Sequence, residues 1–534
     1  MLNRIINKRY VASAFCVASG LMCALAFQLD VLWWVCLVAL IPFCAVMLVK
    51  KQTARGFFYC TLLTVGVYHL ASLTWLMEIS SVIAPSVGEG ASYVIMTGAI
   101  LTVAMLMGII YALPFLLLSR LRRGGLADIL TVSVLYVSGE LLVSLLGELA
   151  FPWARLANLA LPCLPFVQSA ALGGSLFVSL IVIFINCSLA FFATRLACAQ
   201  RAKALISLAL CMAVFASNLI YGTVALESTP KAESTDVLIV QGNYPSNDKW
   251  LAGTDEMLER YLELSEQGVT PETDIVLWPE TAVPVDIDRF TNFSGRIQAF
   301  ADAHKVTVAV GYIKETVHGT YNAMRLYRPD TPIDTEEYYA KQLLVPLGEF
   351  TPLSEVFGII FPEILSHITG RELTHGDKTV VFDTDQGTVA GIICYESIQP
   401  SISLDGTRQG SGLMLMITND SWFGTSRALW QHLSHARMRA IENGRYLARA
   451  GNSGITAVID PSGRITSSIE TYRTGYLNAK AEYLYERTLY SLIGDLPFYI
   501  GLALCIIAWI WDIIKQSMGK KCKIEQNSLA KSVQ

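Results

Sequence analysis

Three residues in the second half of the chain combine reactive chemistry with an abrupt change of polarity. Cys394 ends the apolar run TVAGIIC and is followed at once by Tyr395 and Glu396. Glu280 closes DIVLWPE behind Trp278 and Pro279, and Lys341 stands in YYAKQLLVPLGEF between aromatic and aliphatic neighbours. A thiolate is a strong nucleophile, a carboxyl sheltered by apolar groups has the raised pKa of a general base, and a half-buried ammonium stabilises a thiolate or an oxyanion. Residue types alone leave a second reading open for each: an inert core thiol, a loop or helix-capping carboxylate, and a snorkelling surface lysine.

Histidine is the conventional partner of a cysteine nucleophile. His304, His318, His367, His375, His432 and His435 are available, but none lies in a strand-end motif. His432 and His435, three apart on a predicted helix, are expected on its surface, since spacing alone does not make a metal site. There is no metal-ligand cluster, phosphate-binding glycine loop or dinucleotide fingerprint, so no metal or cofactor is expected.

The elements that must position these residues alternate between short apolar strands and amphipathic helices. TDVLIVQGN from Thr235, DIVLWPETAV from Asp274, VTVAVGY from Val306, TVVFDT from Thr379, TVAGIICY from Thr388 and LMLMITND from Leu413 read as buried strands. Helices are expected near 254–266, 290–303 and 427–443, and the pattern predicts an α/β sheet covered by helices. Polar residues just beyond such strands open into a crevice, so Glu280, Cys394 with Glu396, and Asn419 with Asp420 are candidates to converge.

The rest of the chain is too apolar for a water-soluble protein of 534 residues: 53% is hydrophobic and mean hydropathy is +0.46. Runs long enough to cross a bilayer as helices lie at about 11–28, 31–49, 56–77, 91–119, 126–148, 166–194, 204–225 and 489–513. The first is read as a retained helix, not a removed signal peptide. The predicted domains are seven spans in 1–226, a globular domain at 227–488, an eighth span at 489–514 and a tail at 515–534.

Positive charge marks alternate connections: Lys8 and Arg9, Lys50 and Lys51, Arg120 to Arg123, Arg195 to Lys203, and Lys515 to Lys523. Both termini are therefore expected in the cytoplasm, with the globular domain on the opposite, periplasmic side of an inner membrane. Cys394 is the lone one of twelve cysteines in that domain, so no disulfide forms within it, and a solitary thiol in an oxidising compartment is a liability unless it is used. The net charge of −4 gives no sign of nucleic-acid binding.

LWPE at Leu277 to Glu280, Lys341 in AKQLLVPLGEF, and GIICYE at Gly391 to Glu396 resemble the three separated motifs of the nitrilase superfamily, whose members use a Glu, Lys and Cys triad. NDSWFG from Asn419 and HARMRAIENGRYLARAGNSG from His435 resemble its downstream segments. With seven spans before the domain, one after it and FPWARLAN in an outward connection, the whole chain is similar to the bacterial apolipoprotein N-acyltransferase family. Leu347 and Phe350 depart from the aromatic residues common there, which bears on the acyl pocket.

The resemblance implies a nitrilase-like αββα sandwich on an eight-helix transmembrane bundle. It also implies transfer of the sn-1 acyl chain of a phospholipid donor, phosphatidylethanolamine by preference, to the N-terminal amine of a diacylated apolipoprotein. Glu280 would be the base, Lys341 the oxyanion stabiliser and Cys394 the thioester-forming nucleophile. Glu349 and Glu396 would be supporting carboxylates. Tyr395, Trp422, Trp250 and Trp278 would contact lipid or border its entry. A monomer at the bilayer surface suffices for this chemistry. Two alternatives remain: a membrane-tethered amidase or hydrolase, in which water replaces the amine, and a transporter or receptor, disfavoured because charged residues within the spans are few.

Overall fold

The computed structural model describes residues 6, 8–49, 52–228, 232–245, 253–352 and 372–532. Trp250 and the apolar stretch FGIIFPEIL from Phe357, which sequence suggests could dip into lipid, lie outside the described residues. Among those described, seven helices are long and apolar enough to span a membrane: Arg9–Gln28, Asp30–Val49, Glu89–Leu121, Ala127–Ser144, Ala170–Leu196, Arg201–Glu227 and Leu496–Met518. The pair Ala54–Ser72 and Thr74–Pro85, bent by 46°, makes an eighth when counted as one span.

Breaks in these helices are satisfied internally, as an apolar surrounding demands. Around residues 37–41, where the second span changes winding, Asn186 accepts from Leu40 N at 2.8 Å and donates to Cys36 O at 2.9 Å. The helix Ala170–Leu196 breaks at Gly173 and Gly174, the latter at φ 70°. A Cβ at Gly174 would lie 2.5 Å from the Tyr490 ring. Beyond the break, Ser175 N donates to Glu442 of the globular domain at 2.7 Å, so the membrane helix begins on a carboxylate supplied by the domain above it.

Among the described residues, that domain contains two six-stranded mixed sheets. The strands in chain order are β1 (Ser234–Gln241), β2 (Thr273–Leu277), β3 (Thr307–Thr316), β4 (Gly319–Tyr327), β5 (Tyr339–Ala340), β6 (Val381–Asp383), β7 (Thr388–Ile393), β8 (Leu413–Thr418), β9 (Tyr446–Gly451), β10 (Ala457–Ile459), β11 (Ile465–Ser468) and β12 (Gly475–Glu482). One sheet runs β12-β1-β2-β3-β4-β5 and the other β11-β10-β9-β8-β7-β6. Strands β1 to β3 and β7 to β9 are parallel, and the remaining pairs are antiparallel.

Alternation along each strand builds the layers. Ile275, Leu277, Leu413, Leu415 and Ile417 fill the core between the sheets. Val276 and Trp278 face the helix Thr254–Gly268 with Met257, Leu258 and Tyr261. Met414 and Met416 meet Leu429, Leu433, Ala436 and Ala440 of Ala428–Asn443. The result is the αββα sandwich that the sequence implied.

Candidate active site

The parallel strands deliver the reactive residues to one end of the sandwich. Glu280 stands three residues beyond β2, Cys394 directly follows β7, and Asn419 directly follows β8; Lys341 comes from the last antiparallel strand, immediately after β5. Gly311 of β3 makes room for the Glu280 loop, because a Cβ there would approach Pro279 O at 2.4 Å. Val283 N donates to Gly311 O at 3.1 Å across this contact.

Glu280, Lys341 and Glu349 form one buried ion cluster. Lys341 Nζ donates to Glu280 Oε1 at 3.0 Å and to Glu349 Oε1 at 2.9 Å, and its side chain is 1% exposed. Asn322, from the middle of β4, donates its amide to the same two oxygens at 2.7 and 3.0 Å. Glu280 Oε2 accepts from Asn419 N at 2.7 Å, and Glu349 Oε2 accepts from Val345 N at 2.8 Å. Burial alone would lower the Lys341 pKa, but Glu280 and then Glu349 hold it well above its ordinary value.

Cys394 opens a short 3-10 helix, Cys394–Ile398, at a left-handed φ of 53°. This conformation is uncommon for a residue with a side chain and costs about 1–3 kcal/mol. Burial pushes the thiol pKa up, Glu280 pushes it further and Lys341 opposes both. The resting sulfur is therefore a thiol, electrostatically linked to the carboxylate and the ammonium.

Glu396 ties this turn to the lysine segment. Its Oε2 accepts from Ile393 N at 2.7 Å, and its Oε1 accepts from Tyr339 Oη at 2.7 Å and Gln342 N at 2.6 Å. Burial raises its pKa to about 7 against these donors. Tyr395 points elsewhere: its hydroxyl donates to Ala150 O at 3.3 Å and its ring stacks on Phe151 at 6.2 Å, within the connection between two membrane helices. A cavity of about 330 Å³ lies beside that contact, lined by Ser144, Glu148, Ala150, Gln342, Leu343 and Gln399 among others.

The tryptophans separate. Trp422 is half-buried in the turn Asp420–Phe423. Trp278 is fully buried, donates to Ser265 Oγ at 2.9 Å and stacks on Tyr261. It faces the helical layer behind the Glu280 strand end.

The expectation for the two helix histidines is corrected. His432 and His435 are 1% and 2% exposed, because Ala428–Asn443 is covered by the sheet on one side and by the membrane region on the other. His432 Nδ1 lies 2.8 Å from Asp420 Oδ1, and its Nε2 lies 3.0 Å from Cys394 O. Cys394, Asp420 and His432 bring three potential ligand atoms within 4.8 Å of one another. The Asp420 oxygens, however, already accept from Thr418 and Arg449, and a guanidinium at that point opposes a cation.

Residues 237–482 match the carbon-nitrogen hydrolase family, and residues 19–188 match the apolipoprotein N-acyltransferase N-terminal domain. Similar proteins bearing the name apolipoprotein N-acyltransferase come from several bacteria. That of Gloeobacter violaceus is 30% identical over 90% of this chain and 89% of the relative. That of Geobacter metallireducens is 27% identical over 90% of this chain and 91% of the relative. A match to the Shewanella oneidensis protein is 33% identical over 51% of this chain, which there spans 54% of the relative's length.

Proposed function

The chain belongs to the apolipoprotein N-acyltransferase family, and from that premise we propose that it moves an acyl chain from a phospholipid, through a thioester on Cys394, to the N-terminal amine of a diacylated lipoprotein. The observation that carries this reading is the buried cluster in which Lys341 is shared by Glu280 and Glu349 at the strand end where Cys394 begins its turn.

In the first half-reaction Glu280 accepts the Cys394 proton as sulfur attacks the ester carbonyl. Lys341 and the Tyr395 backbone N–H stabilise the oxyanion; the C–O bond then breaks, and the lysophospholipid leaves with the proton. In the second, the lipoprotein amine attacks the thioester, Glu280 takes the amine proton and the thiol is regenerated. A covalent intermediate suits two lipid substrates that need not be present together.

Membrane anchorage fits both partners, since exposing an acyl chain to water costs about 0.8 kcal/mol per CH₂. The basic residues at alternate connections support a site facing the periplasm, at the outer leaflet of the inner membrane, with both termini cytoplasmic. Phosphatidylethanolamine, with its sn-1 chain, is the donor we assign.

Intact-mass spectrometry of the purified protein incubated with phosphatidylethanolamine tests the reading. A single acyl adduct, absent from Cys394→Ser, released by hydroxylamine and passed to a diacylated lipopeptide amine, is the expected result. Peptide acylation without an adduct overturns the covalent route, and release of free fatty acid in place of transfer makes the protein a hydrolase.

A further inference from the structure

We propose that His432 is a positioning residue for acyl transfer, holding the Cys394–Tyr395 peptide so that Tyr395 N–H points into the oxyanion site. The inference rests on the reading of Cys394 as the nucleophile. In a trans peptide the carbonyl and the N–H lie in one plane and point in opposite directions, so whatever fixes the Cys394 carbonyl also fixes the direction of the next amide. His432 Nε2 lies 3.0 Å from that carbonyl oxygen, and because a carbonyl only accepts, this ring nitrogen carries the hydrogen and donates it. Tyr395 N–H lies in the first turn of Cys394–Ile398, where intrahelical acceptors are missing. Among the described residues it has no acceptor outside that turn.

The ring is itself held from every side. Asp420 Oδ1 accepts from Thr418 Oγ1 at 2.7 Å and lies 2.8 Å from His432 Nδ1, Arg449 Nη2 lies 3.3 Å from the same ring nitrogen and pairs with the other Asp420 oxygen, and Arg449 Nε donates to Ile455 O at 2.9 Å. Trp153 stacks on the imidazole at 5.9 Å and Phe423 meets it edge-on at 5.7 Å. Trp153 is locked in turn by donating to Gln431 Oε1 at 2.8 Å. Cys394 has a left-handed φ of 53°, a conformation that persists only where its surroundings enforce it, and the imidazole is the side chain that grips the peptide following that torsion. Through Trp153, the connection between two membrane helices reaches the oxyanion donor by way of a single ring.

Two polar variants separate positioning from bulk structure. The amide nitrogen of His432→Gln falls near the original Nε2 and can still reach Cys394 O. That of His432→Asn falls near Nδ1 and cannot. Full-length protein in lipid nanodiscs is followed by the rate of acyl-adduct formation on Cys394 at saturating donor and by the rate of alkylation with iodoacetamide, which needs no oxyanion donor. The inference requires His432→Asn to acylate about 100-fold more slowly, with alkylation within a few-fold of wild type, and His432→Gln to recover most of the loss.

Equal losses in both variants, no loss in His432→Asn, or alkylation falling in step with acylation overturn the assignment. If neither variant folds, the wild type decides through infrared spectra of the acyl-enzyme with a ¹³C-labelled thioester carbonyl. A band below that of a free thioester in the same detergent supports a donor held at the carbonyl, and an unshifted band overturns it. A wild type that forms no adduct at all refutes the nucleophile reading itself, a result distinct from either variant outcome.

Discussion

Glu396 accepts from the backbone N–H of Gln342 at 2.6 Å, joining the turn that carries Cys394 to the segment that carries Lys341. The two come from different sheets, so their relative position is set by this carboxylate as much as by the core between them. With Ile393 N and Tyr339 Oη also donating to it, Glu396 satisfies donors that no apolar residue could answer.

Burial raises the Glu396 pKa to about 7 from an ordinary 4.5. A carboxyl whose folded value exceeds its unfolded value binds more protons in the folded state between the two. Its contribution to stability is therefore full below about pH 4.5, is lost as pH rises to about 7, and is constant beyond, spanning about 3 kcal/mol. Glu396→Gln is expected to unfold at a lower temperature, since its NH₂ opposes a donor at a cost of about 1–3 kcal/mol. It should also lose this part of the pH slope. Thermal unfolding followed from pH 5 to 8 checks both, and identical slopes in the two proteins would show that Glu396 does not titrate there.

Cys394 is expected to alkylate slowly in the resting protein, because burial and Glu280 keep it a thiol. Replacing Glu280 by Gln removes a group that raises the thiol pKa, so iodoacetamide modification should quicken or hold steady. Acyl-adduct formation from phospholipid, which needs a proton acceptor, should fall by about 10²- to 10⁴-fold. Parallel decline of both rates would mean that Glu280 only shapes the site.

Lys341→Met leaves two carboxylates buried without their shared cation. Removing one partner of a buried ion pair costs about 3–5 kcal/mol, and the oxyanion loses its cation at the same time. We expect a marked drop in thermal stability and an acylation rate down by at least about 10³-fold. A stable, folded Lys341→Met protein that still acylates would be incompatible with the cluster as the catalytic centre.

The reactive strand ends were legible because each one interrupts an apolar run, and the continuous apolar runs pointed to a sheet covered by helices, with the αββα sandwich itself implied by the family resemblance. What a continuous apolar run does not reveal is which face of the strand looks at the site. Trp278 adjoins Glu280 by one proline yet belongs to the helical side of the sheet, and Tyr395 adjoins Cys394 yet turns toward Phe151. His432 was read as a surface residue because its three-residue spacing from His435 on a helix does not by itself make a site, while the segment ALWQHLSHARMRAIEN also carries charged residues. In the fold those charges are internal: Arg439 pairs with Glu442 at 2.7 Å, both fully buried where the domain meets the membrane helices. Residues 56–77 read from sequence as one continuous span, whereas the structure bends by 46° between Ala54–Ser72 and Thr74–Pro85.

Asn322 was missed for a related reason: in GTYNAMRLY it reads as one polar position of an alternating strand. Its amide donates to both Glu280 Oε1 and Glu349 Oε1, so it holds two carboxylates on one ammonium without adding charge. Asn322→Ala removes two hydrogen bonds to charged groups but leaves the charge count intact, and acylation is expected to fall about 10-fold. Asn322→Asp is nearly isosteric yet places a third carboxyl at the same point, where like charges cannot all ionise. One carboxyl must then carry a proton at neutral pH, and where Glu280 takes it the base is lost. We expect Asn322→Asp to be at least another 10-fold slower than Asn322→Ala. Measured rates of acyl-adduct formation in that order assign Asn322 to charge organisation, whereas equal rates, or a slower alanine variant, would assign it to packing alone.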